Sequence, residues 1–538
     1  MGTDAKYKLV IDKYESLNPT QKEAFDELRD AYLAQVKQDK QDANELIKAQ
    51  EEAKKERQKA LGEKLQKNKT MNVQNIENLP IKDMPDSVMK YEKITKEYSQ
   101  GKKYEDTAFA ANQNSVGSQL AQVTQKWDRP GAGYTLYGSN GVQPDDPRQG
   151  SIGNCYFVSA LSVAGKDNIE KAFLADKVKQ NPETGAFVVR FYFLGDPVDV
   201  IVDDLFPKDG QGNWSFCKSD SGNKLWPMIL EKAYAKLHGG YDKIIAGKVS
   251  YALSELTGGY PEELKMSVAQ KNIDVFWNTI MKHHENGYLL GAGTPENPQG
   301  DRAISDEGII QGHAYAILGL EEYNDERLIK LRNPHGSGGA EWRGDWGDNS
   351  IKWNDKAKKQ LKFENKEDGI FWMSLDDFVY EFKSLYVCRI FDQKLWKTVP
   401  TIEGEWKGES AAGLPNKNNP GANLSKNPHY GIKVQRRCSV FISLTQVERI
   451  DMFRGKYPIM FLVQKNDGKR VKSASLDLLA GSSGAPTDLI TVSAEISLEA
   501  PTYPYTFSLM VATANAGGEG KYELNIQCTD DFTIVDLK

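Results

Sequence analysis

Arg148-Gln149-Gly150-Ser151-Ile152-Gly153-Asn154-Cys155-Tyr156-Phe157-Val158-Ser159-Ala160-Leu161 runs from a glycine-bearing turn into an apolar helix, with Cys155 at the helix start. The unpaired N–H groups and the dipole at a helix N-terminus favour thiolate over thiol, so a nucleophilic sulfur belongs there. Gln149, six residues earlier, is placed to offer its side-chain amide as an oxyanion donor beside the Cys155 backbone N–H. Taken alone, a cysteine on an apolar helix is more often a packed structural residue.

A thiolate needs a base. Gly312-His313-Ala314-Tyr315-Ala316-Ile317 presents one histidine at the head of an apolar strand. Asn333, in Leu331-Arg332-Asn333-Pro334-His335-Gly336, follows one strand and a turn later, within reach of the second ring nitrogen. By itself Asn-Pro is a common turn. Together the three residues supply nucleophile, base and orienter, the Cys-His-Asn scheme of papain-like acyl transfer, whose chemistry needs no metal or organic cofactor.

The chain has 538 residues, enough for three or four units each with its own core. Hydrophobic residues make up 39% and charged residues 27%, which excludes wholesale disorder. A net charge of -6 lacks the basic bias that nucleic acid would require, so no nucleic-acid partner is expected. No secretory leader or long apolar span is visible, and Lys6 stands where a myristoylation signal would have Ser or Thr. The five cysteines are odd in number, far apart and without a C-x-x-C pair, which fits free thiols in a reducing cytoplasm.

Outward from Cys155, residues 1–75 read as a long charged helix opened by Pro19, Thr20 and Glu23, either solvated or a coiled coil. Residues 76–126, with NLPIKDMPD, read as a linker with one short helix. Residues 127–392 mix helices and strands, and 393–538 carry short alternating strands typical of a β-sandwich, giving an α+β chain.

QGSIGNCYFVSAL, GHAYAILG, LIKLRNPHG with EWRGDW, LEKAYAKLHG over 230–239 and LTGG over 256–259 resemble, in order, the motifs of the calpain family of cysteine proteases. The likeness covers roughly residues 127–538. It implies a papain-like core of two subdomains, 127–248 with Cys155 and Gln149 and 249–392 with His313 and Asn333, whose closure assembles the site. It also implies protein substrates, intracellular endopeptidase activity and a C-terminal β-sandwich able to meet lipid or protein partners. The calcium-binding EF-hand loop of conventional members is not found in this sequence, and no oligomeric state is specified.

The resemblance further implies calcium as a regulator in each half of the core. Glu341, Asp348 and Asp368 match ligand positions of the second half, with Ile370 in place of a further glutamate. In the first half Asp146 and the backbone of 139–141 match, but Lys224 replaces a glutamate, opposes a cation and is able to bridge to Asp146 instead. His335 stands where the family has a tryptophan that shields the Asn-His bond, so a more hydrated bond is expected, with Trp342 giving some cover. Two other readings are an amine-directed acyl transferase, against which the calpain-specific motifs weigh, and an inactive scaffold, against which the intact triad weighs.

Overall fold

The computed structural model describes residues 87–538 except 99–100, 176–177, 298–302, 417–419, 452, 474–477, 482–485 and 538, and before residue 87 only Pro19 and Lys22. The long helix expected over 1–75 therefore lies outside the described residues. Residues 74–391 and 398–538 form one compact unit. Residues 392–397 make a turn in which Asp392 accepts from Lys394 N and Trp396 N.

The chain is α+β. The helix α1 (Ser87–Glu97) lies in the stretch read as a linker with one short helix. Tyr91 and Ile94 are buried against Ala186, Val188 and Ile201, and Tyr91 Oη donates to Ala186 O at 3.2 Å. Further on, Asp106 caps the short helix Thr107–Phe109, while Phe109, Val116 and Leu120 join the main core. The polar text between these anchors hides them: single aromatic and aliphatic residues at irregular spacing do the packing, and no helical period announces them.

The helix α2 (Cys155–Ala172) is apolar and buried from Tyr156 to Ser162, as expected of a helix start at the centre of a core, and turns polar beyond a kink at Gly165. Around it pack the hairpin β1 (Ala186–Phe193) and β2 (Asp196–Asp203), then α3 (Trp226–His238) and α4 (Val249–Thr257). Helix α3 carries Pro227 in its first turn and stops at Gly239, whose φ of 94° few other residues tolerate. Phe157 stacks on Tyr234 with centroids 4.1 Å apart. Although α4 follows the expected boundary at 248/249, its Val249, Ala252, Leu253 and Leu256 join the core around α2.

The second half is one antiparallel sheet. Its strands are β3 (Tyr260–Lys265), β4 (Leu289–Gly293), β5 (Ala314–Tyr323), β6 (Glu326–Arg332), β7 (Ile370–Ser374) and β8 (Ser384–Arg389), in spatial order β7-β6-β5-β4-β8-β3. Residues 398–538 fold as two antiparallel sheets face to face. One contains β9 (Ile402–Trp406), β15 (Gly520–Cys528), β11 (Cys438–Gln446) and β13 (Thr491–Leu498), paired in that order. The other contains β12 (Arg454–Gln464), β14 (Tyr505–Thr513), β10 (His429–Val434) and β16 (Phe532–Asp536). Inward residues of both sheets, among them Ile442, Phe461, Leu509 and Leu524, make the sandwich core. Sandwich and second half are bonded to each other: Tyr251 Oη meets Thr491 N at 3.0 Å, Ser493 Oγ donates to Pro261 O at 2.8 Å, and Arg389 lies between Glu262 and Glu495. No described helix is long and apolar enough to cross a membrane.

A buried ion pair ties α3 to the end of β2. Lys232, fully buried, donates to Asp203 and, at 2.7 Å, to Leu205 O; Asp203 in turn accepts from Asp106 N at 2.7 Å. Removing the lysine alone strands a buried carboxylate. Lys232→Met is expected to destabilise the protein by about 3 kcal/mol or more, and Lys232→Met with Asp203→Asn by less. Urea unfolding midpoints check this; equal losses for the single and double variants would contradict it.

Candidate active site

Cys155 opens α2 because the preceding turn is held tightly. Gly150 lies flush on Phe216, where an added Cβ would fall 2.4 Å from Phe216 O. Asn154, fully buried, does not cap the helix with its side chain; its Nδ2 donates to Glu231 Oε1 at 2.7 Å, and Glu231 Oε2 accepts from Cys217 N at 2.8 Å. Burial raises the Glu231 carboxyl to about 7, against the two donors that favour its charge. The nucleophile turn is thereby fastened to α3 and to the segment around Cys217.

His313 immediately precedes β5. Its backbone N–H donates to Thr294 Oγ1 at 2.9 Å, and its ring lies 5.1 Å from Tyr315 and 4.6 Å from His335, centroid to centroid. Asn333 follows β6, with its backbone N–H on Gly369 O at 2.9 Å and its Nδ2 donating to Ala340 O at 2.8 Å. Those two bonds turn Oδ1 toward His313, whose Nε2 lies 3.0 Å away. An amide oxygen only accepts, so Nε2 carries the proton. Nδ1 is then the basic nitrogen, and it has no hydrogen-bond partner. Burial, helped by the neighbouring His335, lowers the imidazole to about 3, the Asn333 bond opposing; the ring is neutral and able to take a proton.

Cys155 and His313 line one cavity of about 440 Å³ together with Gly247, Thr294 and Tyr386. The halves that carry them are joined nearby. Arg332, fully buried, donates to Ser162 Oγ at 2.9 Å and Asp145 O at 3.0 Å, Gln149 N donates to Pro334 O at 2.9 Å, and Ser159 Oγ donates to Ala314 O at 3.1 Å. Gln149 is buried, with Nε2 donating to Ile152 O at 2.8 Å and Oε1 without a partner, so one amide hydrogen is already engaged within its own turn.

One expectation changes here. The His313–Asn333 bond is not hydrated: Asn333 is 0% and His313 3% exposed. His335 suffices as a cover because its backbone N–H binds Asn333 Oδ1 at 3.0 Å, which brings its ring over His313. Trp342, expected to help, is buried on its own loop, pressed against Gly344 and Gly347 with Nε1 on Asp345 O. Asp146 makes the bridge anticipated from Lys224. Its Oδ1 meets Lys224 Nζ at 2.5 Å and Ser221 Oγ, and its Oδ2 meets Trp226 Nε1 at 3.0 Å and Gln143 N at 2.8 Å. Lys224 also donates to Gly141 O at 2.9 Å. The ammonium takes the place of a cation, and these residues do not fit calcium.

In the second half, Glu341 Oε1 accepts from Gly369 N at 2.7 Å and Asp368 Oδ1 from Ile370 N at 2.9 Å, while a buried Asp348 oxygen has no partner. Burial first, then mutual repulsion, raises Glu341 to about 7 and Asp348 to about 6, and burial raises Asp368 as well. This is the signature of crowded carboxylates that favour added positive charge. Their charge fits calcium, but among the described residues no three acidic, His or Cys groups converge closely enough to hold a metal, so the donor set is not a finished cage.

One residue that sequence reasoning missed also lines the cleft. Phe453 belongs to the turn between β11 and β12 of the sandwich. Nothing local marks it, since Arg-Ile-Asp-Met-Phe-Arg-Gly reads as an ordinary turn, and its position depends on how the sandwich docks.

Residues 104–389 match the family model described as calpain family cysteine protease. Among curated proteins, the calpain-type cysteine protease ADL1 of Oryza sativa subsp. japonica is 33% identical over 452 residues, which cover 78% of this chain and 20% of the rice protein. Calpain-14 of Homo sapiens is 32% identical over 376 residues, 64% of this chain and 53% of that protein. The calpain-2 catalytic subunit of Bos taurus is 30% identical over 385 residues, 65% and 53% of the two chains. The chain thus spans a fifth of the plant relative and about half of the animal ones. With more than half of its length matching the family model over the segment that carries Cys155, His313 and Asn333, the chain belongs to the calpain family of cysteine proteases.

Proposed function

We propose that this chain hydrolyses internal peptide bonds of proteins, with Cys155 as nucleophile, His313 as base and Asn333 as orienter. The observation that carries the reading is the forced direction of the Asn333 amide: with Nδ2 on Ala340 O, Oδ1 receives the His313 Nε2 proton and leaves Nδ1 basic. In the reaction Cys155 gives its proton to Nδ1 and its sulfur attacks the scissile carbonyl carbon. The Cys155 N–H and the remaining Gln149 amide hydrogen stabilise the oxyanion. His313 protonates the leaving amine, the acyl-thioester forms, and a water that His313 deprotonates releases the acid and restores the thiol. A reducing compartment such as the cytoplasm suits a chain in which none of the five cysteines is in a disulfide.

Calcium modulation is the second part of the proposal and is assigned to the second half alone. Glu341, Asp348 and Asp368, which form no cage as they stand, would draw together on the ion, whose role there is to neutralise crowded carboxylates.

Unfolded casein incubated with the chain, with millimolar calcium or with chelator, tests the protease reading. Cleavage by the wild type, abolished in Cys155→Ala, is expected; the same cleavage by both would refute the assignment of the nucleophile. His335→Ala is expected to admit water to the His313–Asn333 bond and lower kcat about tenfold with KM little changed, whereas His335→Trp keeps the cover. A loss of equal size in both variants would count against shielding as the role of His335.

The acids predict a pH dependence of stability. Their folded values, about 7 for Glu341 and about 6 for Asp348, lie above the ordinary 4.5 and 3.8, so the folded state binds protons more tightly than the unfolded. Metal-free stability should therefore fall as pH rises from about 4 to 7 and level off above that. Calcium should restore it at pH 7.5, and Glu341→Gln with Asp348→Asn should flatten the fall. Thermal melts across pH measure this; a calcium-insensitive melting temperature would remove the site.

A further inference from the structure

We propose that Phe453 is a specificity-determining residue of the cleft: the sandwich presents its ring to receive a bulky apolar side chain of the bound peptide. The inference rests on the protease reading for the identity of the cleft and adds to it a wall that the protease core does not make.

The ring is half-buried, at the edge of the same 440 Å³ cavity that holds Cys155 and His313. A phenylalanine left partly in water inside a polar turn loses part of its burial free energy, so its position is not explained by the packing of the sandwich. The turn itself is held in place. Asp451 Oδ1 accepts from Phe453 N at 3.1 Å and Arg454 N at 2.8 Å, and Ile490 N donates to Phe453 O at 3.0 Å. Gly455 lies against the Gln446 side chain, where an added Cβ would fall 1.9 Å from Cδ. Upstream, Arg449 stacks its guanidinium 4.2 Å over Phe193 and faces Glu255 at 3.8 Å, which anchors the turn on the protease core.

Across from Phe453 the cavity is walled by Tyr386. Lys248 Nζ lies 5.8 Å from the Phe453 ring and 5.9 Å from the Tyr386 ring, and its charge is taken by Glu263 at 2.5 Å. Beyond the paired lysine the two rings give the cavity aromatic surface, and a side chain entering beside them meets faces already held in place, so little ordering entropy opposes its binding. Apolar over alanine at that position should gain about tenfold.

The test uses the full chain carrying Cys155→Ala and a series of short casein peptides in which each position in turn is Ala or Phe, with binding followed by fluorescence anisotropy. One position is expected at which Phe binds about tenfold tighter than Ala. Adding Phe453→Ala should bring that ratio to about twofold or less, with an unchanged melting temperature showing the fold intact. Persistence of the ratio, uniform weakening at every position, or absence of any favoured position would overturn the proposal. Because the readout is binding, a wild type that cleaves nothing would sink the protease reading and leave this result standing; cleavage with a ratio indifferent to Phe453 would sink this proposal alone.

Discussion

The assembled site depends on a buried guanidinium. Arg332 ends the strand that delivers Asn333, yet both of its bonds reach the other half of the core, to Ser162 on the helix that starts with Cys155 and to the carbonyl of Asp145. Taking the charge out of water is costly, which shows in a guanidinium pKa lowered by burial despite Asp145, Asp220 and Asp368 nearby. What this secures is registration. Nucleophile helix and orienting asparagine sit on separate bodies, and a shift of about an ångström between them would be felt in the chemistry. Arg148 and Ser337, both bonded to Asp220, and Gln149 on Pro334 fasten the adjoining loops in the same sense.

This arrangement explains which parts were legible in the sequence. Cys155, His313 and Asn333 each sit where a local pattern ends, at a helix start, before a strand and after a strand, and such ends can be read from a dozen residues. The alternating β pattern of the last third was readable for the same reason. For residues 87–126 a short helix was legible but the attachment to the core was not, because it rests on isolated anchors such as Tyr91 and Phe109 with partners about a hundred residues away. The dryness of the His313–Asn333 bond was misjudged because cover was reckoned from side-chain size. What decides it is a backbone bond from His335 to Asn333 that sets the ring over its neighbour. Asp146 shows the opposite: a lysine at 224 was enough to anticipate the ion pair, since a carboxylate with a buried ammonium to hand has no need of a metal.

The β-sandwich is more than an appended module. Through Tyr251, Pro261 and Arg389 it is bonded to the second half, and through Arg449 to Phe193 and Glu255. A displacement of the sandwich would therefore move Phe453 relative to Cys155, so that anything bound to the sandwich surface has a mechanical route to the cleft. The protease core and its neighbour both line the cavity that holds Cys155 and His313.

Lys224 carries a last consequence. A bound ion comes and goes, and its occupancy follows its concentration; an ammonium on a four-carbon tether never dissociates and sits at an effective concentration set by its own chain. A chelator removes nothing from it, and a rise in free calcium adds nothing to it. The first half of the core is therefore always loaded, and cooperativity between two ion sites, one in each half, is unavailable to this chain. If calcium acts on the core through the second half alone, as proposed, its dose–response has the shallow slope of a single site, a Hill coefficient of about one.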